Sequence, residues 1–316
     1  MLLRLKKDIK AISKRIFFNL HKLGTRFGIH LLPVCYYSPV PDILELERTK
    51  SLWAKKSDLP GISVDLDEQV NNLRTICLPY QKEYAGSPDY QKGVAEYFGP
   101  GYGPIEAQAL HAVVRHYQPK RIIEVGSGVS TYCMLTAQKM NLEETGQSCS
   151  ITCIEPYPYD RLRKLTDINL IPQPVQTIPV SVFRELGAND LLFIDSSHTV
   201  KPGGDVNYLI LEVLPCLRSG VIIHFHDIFL PFDYPRSVLK TFLHFWAETS
   251  LLRAFLIFNE KVKIIFCLSQ LHYDRGGVLA EVFPGYNPQP DVNGLADEEI
   301  PPDGQHFPAS IYIQMQ

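Results

Sequence analysis

An α/β fold on a mostly parallel, seven-stranded sheet is predicted for this 316-residue chain by three observations. Short β-branched runs end repeatedly in an acid, segments of helical spacing separate them, and two glycines follow the first run at once. That first unit, Arg121-Ile-Ile-Glu-Val-Gly-Ser-Gly-Val-Ser130, reads as a buried strand, a tight glycine turn and a helix start. Strands that alternate with helices run parallel, with right-handed crossovers and helices on both faces. Ligands of such sheets sit at the carboxyl ends of the strands.

Along the chain, residues 1–24 hold seven Lys or Arg against Asp8 alone, an excess of +6 in a chain of net charge -3. Ile9, Ile12, Ile16, Leu20 and Leu23 recur at helical spacing opposite Lys7, Lys10, Lys14 and Lys22, which predicts a basic amphipathic helix. Two uses of its stripe stay open: packing on its own domain or a second copy in a homo-oligomer, or peripheral contact with an anionic membrane through residues 1–24. Leu32-Pro-Val-Cys-Tyr-Tyr-Ser-Pro-Val-Pro41 reads as an extended linker, and residues 42–103 as short helices and turns. The aromatic, glycine-rich loop 97–104 is either a pocket lid or a plain turn before a helix over 105–117.

Strands are expected at 121–125, 150–154, 174–178, 190–194 and 220–225, with helices near 129–141, 159–166, 180–187 and 203–218. A helical region over 236–258 leads to a strand at 262–268, and 309–314 reads as the last strand. With no helix between them, these two are expected to pair antiparallel, an acidic Pro/Gly-rich excursion over 269–308 projecting from their turn. The chain thus reads as a helical extension (1–30), a linker and short helical cap (31–103) and a ligand-binding domain (104–316).

Apolar residues at 45% and charged ones at 21% fit a globular protein, and the net charge gives no electrostatic drive toward nucleic acid. None of the seven cysteines has zinc-like spacing; Cys133, Cys153, Cys216 and Cys267 lie in apolar runs and read as buried free thiols of a reducing, cytoplasmic compartment. No apolar stretch approaches the ~18 residues of a membrane span, and the first residues lack the apolar core of a signal peptide.

The acid before the glycines discriminates between ligands. A dinucleotide rests its pyrophosphate on the helix N-terminus, where a carboxylate at Glu124 would repel it. Thr131 also stands where the third glycine of that motif is expected. S-adenosylmethionine has an ammonium, a sulfonium and a carboxylate but no phosphate. Glu124 near its amino group and the amides of Gly126, Ser127 and Gly128 near its carboxylate would suit it. Glu155-Pro156, at the second strand end, falls where adenosine ribose hydroxyls are bound. The third run ends at Asp195, and the fourth, Gly220-Val-Ile-Ile-His-Phe-His-Asp227, in His226-Asp227. One acid at a strand end is an ordinary helix cap; four in register mark a site.

Together, Glu124–Ser130, Ile154-Glu-Pro-Tyr-Pro158, Phe193-Ile-Asp-Ser-Ser-His198 with Asp205-Val-Asn-Tyr208, and His224-Phe-His-Asp-Ile-Phe-Leu-Pro-Phe232 carry a resemblance. The chain resembles the class I S-adenosylmethionine-dependent methyltransferases, nearest a subgroup linked to bacterial glycan or secondary-metabolite pathways, over roughly Tyr36 to Leu268. The resemblance implies their Rossmann-like fold, with a closing antiparallel strand, and O-methylation of a small-molecule or glycan hydroxyl. Some relatives hold Mg²⁺ on an Asp after the fourth strand and an acid with an amide or second acid after the fifth. Carried over, this names Asp195, His226 and Asp227 as metal ligands. His226 stands where an oxygen ligand is expected, and imidazole suits Mn²⁺ better than Mg²⁺.

A hydroxyl acceptor must lose a proton, so His198, His226 and Asp227 are the candidate catalytic groups, with or without metal. Plainer roles compete: His224 and His198 as core and loop-capping histidines, Asp227 as a backbone acceptor, Lys201 and Asp205 as solvated groups. Tyr157 and Tyr159 either cover the adenosine or belong to a surface turn. A metal-dependent hydroxylase or hydrolase, and a non-catalytic membrane-associated scaffold, are the alternative functions.

Overall fold

The computed structural model describes residues 2–96, 98–99, 101–234, 244–287 and 307–316, and the chain divides into two compact units, residues 1–50 and 51–316. In the first, the helix Leu2–Thr25 is followed by a reversal in which Ile29 N donates to Gly24 O (2.9 Å) and His21 Nδ1 meets Leu31 O (3.1 Å). Asp42 then caps a short helix, Ile43–Arg48, by accepting from Leu44 N at 3.0 Å.

The second unit is built on seven strands: β1 (Arg121–Val125), β2 (Ser150–Ile154), β3 (Asn169–Ile171), β4 (Leu191–Ile194), β5 (Ile222–His226), β6 (Val262–Cys267) and β7 (Ser310–Met315). Their order is β3-β2-β1-β4-β5-β7-β6. Strands β1 to β5 are parallel, and β7 inserts antiparallel to both β5 and β6. Successive side chains alternate between two cores. Ile122, Leu191, Phe193 and Ile222 face one, with the helices Leu66–Cys77, Pro104–Tyr117, Val129–Thr145 and Leu268–Val282; Ile123, Leu192, Ile194 and Ile223 face the other, with the 205–216 segment and the helix Glu248–Leu256. Burial on both faces explains the unbroken apolar runs. The winding reverses between β1 and β4, which opens a crevice at their carboxyl ends.

Two expectations need correction. The third strand is Asn169–Ile171, not 174–178, where Val175–Thr177 is a single 3-10 turn. Pro172, Pro174 and Pro179 supply no N–H for a ladder, so only the residues before Pro172 pair. The expected excursion begins as a helix, Leu268–Val282, so β6 and β7 pair antiparallel across a helical connection. Its apolar spacing is masked by a kink at Arg275, before Gly276-Gly277. The rest of that excursion, 288–306, and the first part of the expected 236–258 helix, up to 243, lie outside the described residues; the remainder forms Glu248–Leu256. The 203–218 segment is helical but mixed: α-helix over Asp205–Tyr208, π over Leu209–Val213, 3-10 over Leu214–Cys216. All seven cysteines are free; Cys133, Cys153 and Cys267 are buried, but Cys216 is only half-buried, beside Arg184.

Arg115 ties the 51–103 segment to the sheet domain. Its buried guanidinium donates to Glu83 (2.8 and 3.1 Å), Asn141 (2.5 Å) and Glu144 (2.6 Å). Replacing it by Met keeps much of the packing but leaves Glu83 without its cation. Arg115→Met should lower unfolding free energy by roughly 3 kcal/mol in urea titrations, the low end for a broken buried pair because Glu83 and Glu144 keep some exposure. A loss below about 1 kcal/mol would mean that the bridge acts as a surface pair.

Candidate functional site

The glycine turn after β1 is forced by its neighbours. Gly126 has φ +78°, its N–H donates to Ile154 O (3.1 Å), and Asp195 N donates to Val125 O (2.8 Å). A Cβ on Gly126 would lie 1.7 Å from Asp195 O, which no side chain tolerates. Around this turn lies a cavity of about 380 Å³, lined among others by Gly126, Glu155, Pro156, Tyr157, Asp195 and Asp205.

The polar groups at the turn divide by depth. Glu124 is fully buried and does not line the cavity; it accepts from Ser130 Oγ (2.7 Å), Thr131 Oγ1 (2.5 Å) and Cys153 Sγ (3.2 Å). Thr131 Oγ1 also accepts Gly128 N (3.2 Å), so the residue standing in place of a third glycine links the acid to the loop. Burial raises the Glu124 carboxyl to about 7, against the pull of those hydroxyls. Glu155, at the cavity wall, accepts Ser127 N (3.2 Å) and Tyr157 N (2.7 Å), which fixes its carboxylate at the end of β2. Tyr157 lines the cavity; Tyr159 stacks close to where a side chain on Gly99 would project. Asp205 is not merely solvated, since it accepts Ser197 N (2.8 Å) and Ser197 Oγ (2.6 Å) and shapes the turn after β4.

The strand-end histidines and acids converge beside the cavity. His198 Nε2 lies 3.3 Å from both Asp195 Oδ1 and Asp227 Oδ2, and His226 Nδ1 lies 3.5 and 3.7 Å from the same oxygens. Both histidines are buried, whereas the Asp195 and Asp227 side chains keep 24% and 22% exposure and remain reachable. Asp195, His198 and Asp227 each offer a ligand atom within 4.8 Å of the others, the spacing of a metal-binding group. The structure therefore brings His198 into the set that the sequence drew with His226. His198 (φ +55°) and Asp227 (φ +53°) both hold the left-handed backbone that non-glycine residues rarely adopt.

Glu248 completes the cluster, and the sequence marks it only as part of a helical region. It is buried, and its Oε2 meets His198 Nδ1 at 2.7 Å. Ala247 N and Glu248 N also donate to His198 O (3.0 and 3.2 Å), and the Trp246 ring lies 4.7 Å from the imidazole. Tyr102, from the 97–104 loop, packs its ring 4.9 Å from His226, so that loop covers the cluster from the other side; residues 97 and 100 lie outside the described set. His224 is a core residue, as the plainer reading had it, yet neither ring nitrogen has a hydrogen-bond partner among the described residues. It stacks on Phe193 at 4.4 Å, and burial with the nearby His226 charge holds it well below 6.5, hence neutral.

Burial would lower His198 and His226, but the surrounding carboxylates win. His198 is held well above its ordinary value by Asp195 and Glu248, and His226 rises to about 9 beside Asp227 and Asp195. Burial would likewise raise Asp195, which the two imidazoles instead hold well below the usual range. Burial does raise Asp227 and Glu248, only partly offset by the histidines.

A methyltransferase domain model matches residues 123–228, the stretch from β1 through β5 that builds the cavity and the cluster. An uncharacterized protein of Archaeoglobus fulgidus is 30% identical over 190 residues, 57% of this chain and 85% of the relative. By the domain match the β1–β5 core of this chain is a methyltransferase domain. The match agrees with methyl transfer rather than with the hydroxylase or hydrolase readings. Among solved structures, an S-adenosylhomocysteine-bound methyltransferase of Podospora anserina is similar at 17% identity (72% of this chain, 92% of the other, TM-score 0.36). An O-methyltransferase of Streptomyces achromogenes, involved in tomaymycin synthesis and solved with S-adenosylmethionine, is similar at 15% (64% and 82%, TM-score 0.36).

The raised histidines make the metal-free stability of this domain pH-dependent. A group whose pKa is higher folded than unfolded stabilises fully below the unfolded value, near 6.5, and loses that contribution as pH passes the folded value, about 9 for His226. In chelator, melting temperature should fall as pH rises across this window, and His226→Asn should flatten part of the fall. An unchanged slope in that variant would remove His226 as the source.

Proposed function

We propose that this methyltransferase acts on a hydroxyl of a small molecule or glycan, with acceptor deprotonation at the Asp195–His198–Asp227 cluster. The observation that carries the reading is the position of Asp195, which lines the cavity at the glycine turn and also pairs with His198. A methyl donor seated in that cavity therefore presents its reactive end next to the titratable groups, as a direct displacement requires. An amine acceptor needs no such cluster, whereas an alcohol is a poor acid and does.

For the donor, the missing Cβ at Gly126 and the fixed Glu155 carboxylate fit S-adenosylmethionine. Glu155 would accept the ribose hydroxyls, Pro156 and Tyr157 would border the adenosine, and the amides of Ser127 and Gly128, at the start of the 129–145 helix, would face the carboxylate. Glu124 supports that loop from beneath through Ser130 and Thr131.

For the acceptor side, the donor set fits a divalent cation. Asp195 and Asp227 supply oxygen and His198 Nε2 supplies nitrogen, with Glu248 on Nδ1 fixing the ring as second-layer carboxylates do at metal-bound histidines. This mixed set suits Mn²⁺ better than Mg²⁺. A cation there would lower the pKa of an acceptor hydroxyl and orient it. Without one, the three carboxylates hold His198 protonated, and an imidazolium has no lone pair with which to take a proton.

Calorimetry with S-adenosylmethionine should show saturable binding, absent in Gly126→Ala and about 10–100-fold weaker in Glu155→Ala, the range for a lost charged hydrogen-bonding partner. Wild-type affinity in both variants would sink the cavity assignment. For the cation, calorimetric titration with Mn²⁺ near pH 7 should release about one to two protons, because ligation displaces those held by the histidines. Activity against hydroxyl acceptors should vanish in chelator and in Asp227→Asn. Full activity in chelator would leave the cluster without a cation.

A further inference from the structure

We infer that the helix Leu2–Thr25 docks this methyltransferase on an anionic lipid surface. By helical spacing alone, Ile9, Ile12, Ile16, Leu20 and Leu23 fall within one sector of about 80° and Arg4, Lys7, Lys14, Arg15 and Lys22 within the opposite one. The structure adds what the pattern leaves open. Over the part whose side chains are described, the stripe is uncovered: Ile16, Leu20 and Leu23 are exposed, Leu23 at 52%. Phe17, beside the stripe, and Phe18, on the basic face, are exposed as well. The reversal that follows continues the surface with Phe27 (75% exposed), Ile29, Leu31 and Leu32, and then with Tyr36 and Tyr37. Monomeric proteins seldom leave so continuous an apolar run in water, so something covers it.

Charge decides between the occupants. The first 24 residues carry a +6 excess, so a second copy laid stripe to stripe would bring two strongly basic helices together. Anionic headgroups instead complement the basic flanks while the acyl boundary takes the stripe. On the basic face Lys22 Nζ stands 4.9 Å over the Phe18 ring, a cation–π contact. Aromatic residues with polar tips, such as Tyr36 and Tyr37, favour the same zone. Spanning is ruled out for this helix, since no described helix is long and apolar enough to cross a membrane. The arrangement is a surface helix, binding through area and charge together.

The test is co-sedimentation of the full chain with vesicles of phosphatidylcholine alone and of phosphatidylcholine with phosphatidylserine. Pelleting should be at least about tenfold stronger with the anionic vesicles, weaken as salt is raised, and fall about tenfold in Ile16→Glu/Leu20→Glu/Leu23→Glu. An unchanged melting temperature of that variant separates lost docking from lost folding. A second variant, Lys14→Gln/Arg15→Gln/Lys22→Gln, leaves the stripe intact and should lose the anionic preference alone. Equal pelleting on both vesicle types, or none on either, overturns the inference. So does a dimer in light scattering that the triple Glu variant dissolves, which would make the stripe a contact between copies.

Discussion

A single close approach sets the geometry of the whole site. The ends of β1, β2 and β4 are drawn together by Gly126 N to Ile154 O and Asp195 N to Val125 O, and the chain between them must turn left-handed with no side chain. Only glycine meets both demands, because a Cβ would overlap the Asp195 carbonyl. With that turn in place, Glu155 and Asp195 face each other across one cavity. Asp195 then fixes the distance to His198 and His226, so the position of the acid–base cluster relative to the cavity follows from the glycine. Displacing the turn would shift both halves of the site together.

The buried acids around that turn are kept in two different ways. Glu124 is satisfied by neutral donors from Ser130, Thr131 and Cys153, and its carboxyl rises to about 7 because burial outweighs those hydrogen bonds. Asp195, Asp227 and Glu248 are instead balanced by two imidazoles, which rise in turn. Three carboxylates with two imidazolium rings carry the same net charge as three carboxylates with two neutral rings and one divalent cation. Exchanging protons for a cation therefore leaves the electrostatic balance of the pocket intact.

Much of the fold is legible in the sequence because local rules write it. Strands β1, β2, β4 and β5 are continuous apolar runs bounded by turn residues, and burial on both faces requires such runs. The third strand is misplaced because two apolar runs flank Pro172 and Pro174, and only the ladder tells which of them pairs. The helix Leu268–Val282 hides behind Gly276-Gly277, where the backbone kinks while packing still buries Leu271, Leu279 and Val282. Tertiary burial overrides composition there.

The site divides along the same line. The cavity at the glycine turn rests on backbone approach, on a glycine and on acids at strand ends, all set within successive βα units, so Glu124–Gly128 and Glu155 stand out by position alone. The histidine–carboxylate cluster is assembled from side chains that no local rule connects. Glu248 lies 50 residues from His198 and meets it only because the helix Glu248–Leu256 packs beneath the sheet on the same face as the 205–216 segment. Tyr102 reaches His226 from a loop that reads equally well as a plain turn. His198 and Asp227 hold left-handed backbone conformations, and the contact between them joins the ends of two different strands. Backbone-built binding is therefore readable from one chain, whereas a pocket built from converging side chains becomes readable only after the fold has brought them together.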